Sequence, residues 1–229
     1  MEPDLRVNVQ NRQFGLAGNR VVRNTYALLA LTLIPTIFGA FVGLNMSFAF
    51  MRASPIMSSL LFLAVVYGLF FAIEKNKDSG VGVALLLGLT FFLGLMLGPL
   101  LQYALHLRNG AQVVSLAAGG TAVVFFGLAA IATTTKRDLG FMTSFLTAGA
   151  IVLMITMVAN IFMQIPALQL VVCAGFVLFS SGVILYQVNS LVRGGETNYV
   201  SATLTLYIAI YNLFTSLLQL LMAFTGQRD

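Results

Sequence analysis

Residues 200–224 read VSATLTLYIAIYNLFTSLLQLLMAF and contain no Asp, Glu, Lys, Arg or His. About 20 apolar residues in a helix cross the hydrocarbon core of a bilayer, which is about 30 Å thick. This stretch is therefore a spanning helix. Its polar residues are ordered. Thr205, Ala209, Asn212, Ser216 and Gln219 follow one another at intervals of 4, 3, 4 and 3, which puts all five on one helical face. Tyr207 and Tyr211 share a neighbouring face. Lipid tails offer no hydrogen bonds, so such a face must meet protein or water. The last helix is thus predicted to be central, with the others around it. Asn160, Gln164, Ser180, Ser181 and Gln187 are candidate partners for its polar groups. Two uses are open: hydrogen bonds between helices, or the lining of a small hydrated cavity.

Working upstream, six more apolar runs satisfy the same length criterion: 25–44, 56–73, 80–101, 113–133, 141–162 and 168–187. The fold class is an all-α integral membrane protein. Seven transmembrane helices are expected, six packed around the C-terminal one, in a domain over 24–229 that follows a polar tail over 1–23. Composition agrees: 59% of residues are hydrophobic and 8% charged, against roughly 25% charged in a soluble domain. The net charge of +5 does not point to nucleic acid, because the cations sit between apolar runs, as topology signals do.

On the side of the N-terminal tail lie Arg6, Arg12, Arg20, Arg23, Lys75, Lys77, Lys136, Arg137 and Arg193; on the other lie Arg52, Arg108 and Arg228. Cations favour the cytoplasmic side. The expected topology is N-terminus in the cytoplasm and C-terminus outside, which is the periplasm if the membrane is the inner membrane of a Gram-negative bacterium. Dropping the short second run would return both ends to one side. The first 23 residues lack the layout of a cleaved signal peptide and read as a retained cytoplasmic tail.

No spanning run carries an Asp, Glu, Lys, Arg or His at mid-depth, and such residues usually mark ion or proton paths. The single Cys173 and single His106 allow no metal-ligand cluster. Phosphate-binding loops, nucleophile elbows and paired intramembrane carboxylates are absent too. No cofactor and no enzymatic activity are expected, and the sequence specifies no oligomeric state. Gly39 with Gly43, and Gly94 with Gly98, form small-xxx-small pairs that let backbones approach closely; packing within one bundle is the preferred reading over a dimer interface. Pro35 and Pro99 are expected to kink their helices.

Several stretches taken together resemble the Bax inhibitor-1 family, and its bacterial YccA branch in particular. They are Leu97-Gly98-Pro99-Leu100-Leu101, Gly119-Gly120-Thr121-Ala122-Val123-Val124-Phe125-Phe126 and Val158-Ala159-Asn160-Ile161-Phe162. Ser180-Ser181-Gly182-Val183-Ile184-Leu185, the turn Gly194-Gly195-Glu196-Thr197-Asn198-Tyr199 and Leu206-Tyr207-Ile208-Ala209-Ile210-Tyr211-Asn212-Leu213-Phe214 complete the set. The Gly-Gly-Glu-Thr-Asn-Tyr turn is the most specific.

The resemblance implies seven helices around a C-terminal one. Calcium-leak members use two intramembrane aspartates and a latching Arg on the second helix. Here Gln187 and Ala209 stand at the aspartate positions and the second run has no Arg. An amide and a methyl cannot share a proton as two carboxylates do, so that pH switch is not expected. A cation leak without it is the alternative function. The branch resemblance implies binding to, and modulation of, FtsH, a membrane-anchored ATP-dependent protease. The chain would be its slow substrate, engaged through the tail that carries Arg6, Arg12, Arg20 and Arg23. The same tail also reads as an ordinary orientation signal.

Overall fold

A computed structural model describes residues 3–226, with side chains described from Arg20 to Thr225 apart from Arg52. The side chains of Arg6, Arg12, Arg52 and Arg228 lie outside the described residues. The described chain is all-α: α1 (Pro3–Leu44), α2 (Ala49–Ala53), α3 (Pro55–Lys75), α4 (Gly80–Met96), α5 (Gly98–His106), α6 (Gly110–Thr134), α7 (Met142–Met163), α8 (Pro166–Val192) and α9 (Tyr199–Gly226). Seven spans are long and apolar enough to cross a membrane; the first is the Arg20–Leu44 part of α1, and the third is α4 plus α5, Gly80–His106. The protein is a multi-pass membrane protein.

Proline marks the helix starts. Pro55 and Pro166 open α3 and α8, where a missing N–H costs nothing. Inside the third span the same chemistry makes a break. Pro99 brings no N–H to the helix ladder, and the Leu97 N–H is shared between the carbonyls of Leu93 and Gly94 at 3.1 and 3.0 Å. The helix is divided there into α4 and α5. Pro35, by contrast, lies within α1, which continues as one helix through it.

α9 is the enclosed element. Among its described side chains only Phe224 is exposed. It packs against α1, α3, α4, α6 and α8, while α7 rests on α8 and α3. Five spans therefore touch the central helix directly, and the sixth closes the ring from outside. Leu206, Leu213 and Leu218 of α9 are fully buried, as are Leu86 and Leu89 of α4 and Ile184 and Val188 of α8. The outward sides of α1 and α7 show Ile34, Ile37, Phe38, Phe145, Val152 and Ile155, all more than half exposed. That arrangement is stable where the solvent is hydrocarbon.

The two glycine pairs face one another. A Cβ on Gly39 or Gly94 would collide with the carbonyl oxygen of Phe91 or Thr36 respectively, and one on Gly43 or Gly98 with that of Leu95 or Gly43. α1 and α4–α5 thus meet backbone to backbone, so these pairs serve packing within the bundle. Tyrosines of α9 fasten onto that seam. Tyr207 Oη lies 2.7 Å from Thr36 Oγ1 and 3.4 Å from the Thr90 carbonyl, and Tyr211 donates to the Leu93 carbonyl at 3.2 Å. Leu93 O is one of the two acceptors sharing the Leu97 N–H next to the break.

Candidate functional site

The polar side chains inside the bundle fall into three levels. The first lies at the end where α7 turns into α8. Asn160, nine-tenths buried, donates to Gln169 Oε1 at 2.9 Å and accepts from the Ile165 N–H at 3.1 Å. Gln169 donates in turn to Gln219 Oε1 at 3.0 Å, and Gln219 donates to the Thr215 carbonyl at 3.2 Å. A chain of neutral amides so joins α7, α8 and α9. Asn160, a candidate partner for the polar face of the last helix, reaches Gln219 through Gln169, which the sequence reading did not single out. Gln169 stands in the first turn of a span, just after Pro166, where a polar residue reads as boundary.

Gln164 was expected beside these groups and is not among them. It ends α7 with a left-handed backbone, φ 51°, and is exposed. The chain must reverse there to enter α8, and that turn carries the side chain out of the core. It helps to line a recess of about 320 Å³ with Pro55, Ser59, Asn160, Pro166 and Gln169. A second recess of about 410 Å³ at the same end is bounded by Phe48, Met51, Pro99, Gln102, Tyr103 and His106. Gln102 was also unforeseen. Its Nε2 donates to the carbonyls of Gly43, Leu44 and Met46 at 3.1, 3.1 and 2.9 Å, supplying a donor to acceptors at and just past the end of α1.

The second level is mid-bundle. Ser180 is fully buried and Gln187 nearly so, and Ser180 Oγ and Gln187 Nε2 have no hydrogen-bond partner. Nearer the opposite rim, Thr25 Oγ1 and Ser201 Oγ are likewise unpartnered. Ser180 and Gln187 are seven residues apart on α8, hence on one face. Ala209, the other position at which the family resemblance places an aspartate, is buried. Of the remaining stripe, Ser216 is buried, and Thr205 and Asn212 are half-buried. Neither recess is lined by Gln187 or Ala209. These groups can form hydrogen bonds but carry no charge to move.

The third level is the opposite rim, around the turn from α8 to α9. Gly194 takes φ 76°, a conformation that favours glycine. Glu196 Oε1 accepts from the Asn198 N–H at 2.9 Å, and Asn198 Oδ1 accepts from the N–H groups of Val200 and Ser201 at 2.9 and 3.1 Å, capping α9. Asn198 Nδ2 reaches across to the Lys77 carbonyl and to Asp78 Oδ1 at 2.8 Å. The turn therefore holds the α3–α4 loop as well as starting the central helix. Thr197 is exposed and Tyr199 half-buried. In that loop Lys77 pairs with Glu74 at 3.0 Å, and the hydrogen bond to the Glu74 carboxylate pushes the Lys77 ammonium pKa up from its ordinary value.

Asn189, 2% exposed, repeats the device beyond the predicted end of the sixth run. Its amide donates to the carbonyls of Ala132, Thr135 and Arg137 at 3.3, 3.4 and 3.4 Å and accepts from the Leu139 N–H at 3.4 Å. Because the α6–α7 loop satisfies this amide, α8 stays helical to Val192, five residues past the expected boundary. Among the described residues His, Cys, Asp and Glu side chains nowhere gather in threes.

The model of the family described as inhibitor of apoptosis-promoting Bax1 matches residues 18–226. An uncharacterised protein of Neisseria meningitidis is 46% identical over 211 residues, 91% of this chain and 93% of that protein. An uncharacterised protein of Pseudomonas aeruginosa is 46% identical over 200 residues, 87% of each. The Escherichia coli K12 protein named modulator of FtsH protease YccA is 42% identical over 206 residues, 90% of this chain and 91% of that one.

Proposed function

The chain belongs to the Bax1-inhibitor (Bax inhibitor-1) family, and on that premise we propose that it is a regulatory membrane protein that binds and modulates an FtsH-type ATP-dependent protease. The observation that carries this reading is the 42% identity, across nine-tenths of both chains, to the relative named for that role. Inside the bundle, neutral amides and hydroxyls join helices to one another.

In this reading the rim bearing the α8–α9 turn faces the cytoplasm, as the bias of cations directs. The polar segment ahead of Arg20 then lies on the protease's side. An energy-driven protease that grips this end must draw out spans that prefer lipid and that the glycine seam and the amide hooks hold together. The chain would be a slow substrate that occupies the enzyme and so restrains its action on other membrane proteins.

The test removes residues 2–19 and keeps Arg20 and Arg23 as orientation signals. The trimmed protein is expected to turn over several-fold more slowly than the intact one in cells that contain the protease. In cells lacking it, both should persist alike, and in detergent both should unfold at the same temperature. Equal turnover in the presence of the protease rules out the tail as the handle. Failure of the intact protein to crosslink to the protease in native membranes rules out the partnership.

A further inference from the structure

The rim around the α8–α9 turn distributes its charges unevenly between acids and bases. Between Arg20 and Thr225 the carboxylates are Glu74, Asp78, Asp138 and Glu196, and each is engaged within the chain. Glu74 takes Lys77, Asp78 takes the Asn198 amide, Glu196 takes the Asn198 N–H, and Asp138 turns back onto the Gly140 N–H at 2.9 Å. Lys77 is the only cation in an ion pair among the described residues. Lys136, Arg137 and Arg193 are exposed and, like Arg20, Arg23 and Lys75, are in no ion pair among the described residues.

Those three are also gathered. Asn189 binds the strand of loop from Ala132 to Leu139 onto the last turns of α8, and Arg193 lies one turn beyond Asn189 on the same helix. The clamp is buried, so the backbone that carries Lys136 and Arg137 is fixed to the end of α8 that carries Arg193 before any ligand arrives, which lowers the ordering cost of binding. Directly after this loop come Phe141 and Phe145, both 75% exposed on consecutive turns at the start of α7.

We propose that Lys136, Arg137 and Arg193 form a headgroup site for an anionic phospholipid, whose acyl chains lie along the Phe141–Phe145 face of α7. The ligand chemistry is a phosphodiester continuous with hydrocarbon. A lipid presents both parts at once at the depth where α6 and α8 end and α7 begins, and basic pockets between helices at this depth suit such headgroups. An acidic protein surface would meet the cations and leave the two phenyl rings unused. The site is independent of any protease partner.

Native mass spectrometry of the full chain from detergent micelles tests it, with cardiolipin, phosphatidylglycerol or phosphatidylcholine added in turn. The intact protein should retain the two anionic lipids at far lower concentration than phosphatidylcholine. Each removed cation should weaken that retention by about fivefold, so Lys136→Gln, Arg137→Gln and Arg193→Gln together cost about a hundredfold. Arg108→Gln, on the other rim, should cost nothing. Thermal unfolding in phosphatidylcholine should match between the intact and triple variants, and only the intact protein should gain stability from anionic lipid. If the triple variant folds poorly, Arg193→Gln alone gives the readout, at about fivefold. Undiminished anionic-lipid retention in the variants, no lipid preference in the intact protein, or an equal thermal shift with inorganic phosphate each overturns the proposal.

Discussion

Two seams hold α9 in place, and they are built from opposite materials. Along α1 and α4–α5 the backbones touch through Gly39, Gly43, Gly94 and Gly98, and the nearby Thr36 and Tyr207 hydroxyls find partners. Along α8 and α9 the contact is made by side chains, including Ile184, Val188, Leu206 and Leu213. Polar atoms are buried there without partners, namely Ser180 Oγ and Gln187 Nε2 of α8; the other two such atoms, Thr25 Oγ1 and Ser201 Oγ, lie nearer the α8–α9 rim. Apolar surface gains little from association when the solvent is itself oily, so helices in lipid rely on close packing and on interhelical hydrogen bonds. The first seam uses the former almost to its limit. The second uses the latter at its end, through Asn160, Gln169 and Gln219, and leaves slack in its middle. One seam is a fixed frame, and the other has room to change.

The largest effect expected from this contrast is on the frame. Gly94→Ala drives a methyl group into the Thr36 carbonyl, and overpacking of this kind should destabilise the purified protein by about 3 kcal/mol in reversible detergent unfolding. Gly127→Ala, with nothing within 4 Å of the new atom, should change stability by less than about 1 kcal/mol. A tolerant Gly94 would remove the distinction between the seams. Next in size is Gln169→Leu, which cuts the amide chain between α7, α8 and α9; a loss of about 1 to 1.7 kcal/mol is expected on the same scale. The smallest effect sharpens the comparison most. Gln187→Met replaces an unpartnered amide by an apolar side chain of similar length, so stability should hold or rise by about 1 kcal/mol. A fall greater than that would mean the amide is satisfied and the slack is not there.

Much of this was legible in the residues. Seven apolar runs became seven spans because length and lack of charge are sufficient conditions for crossing a bilayer. The ordered polar face of the last run became an enclosed helix, since neutral polar groups cannot face lipid. The glycine pairs were visible as pairs, but that each is the other's partner was not, because spacing along one helix says nothing about which helix lies opposite. Gln102, Gln169 and Asn189 escaped notice for a common reason. Each stands near the end of a run, where a polar residue looks like a boundary; its acceptors are loop or helix-end carbonyls, or another amide distant in sequence. Gln164 erred the other way: it looked like an interior amide until the left-handed turn at the end of α7 carried it outward.

A central helix that is synthesised after the six others sets the order of assembly. Thr90 and the tyrosine that reaches its carbonyl are 117 residues apart, which at ribosomal speed is about 6 to 23 s. During that interval α6, α7 and α8 are themselves synthesised, and the first three spans wait in the bilayer without their central partner. The α1–α4 frame can zip together early, while the inward polar groups of the remaining spans wait for their counterpart. A chain arrested before residue 199 would lack the helix on which five of the six other spans pack.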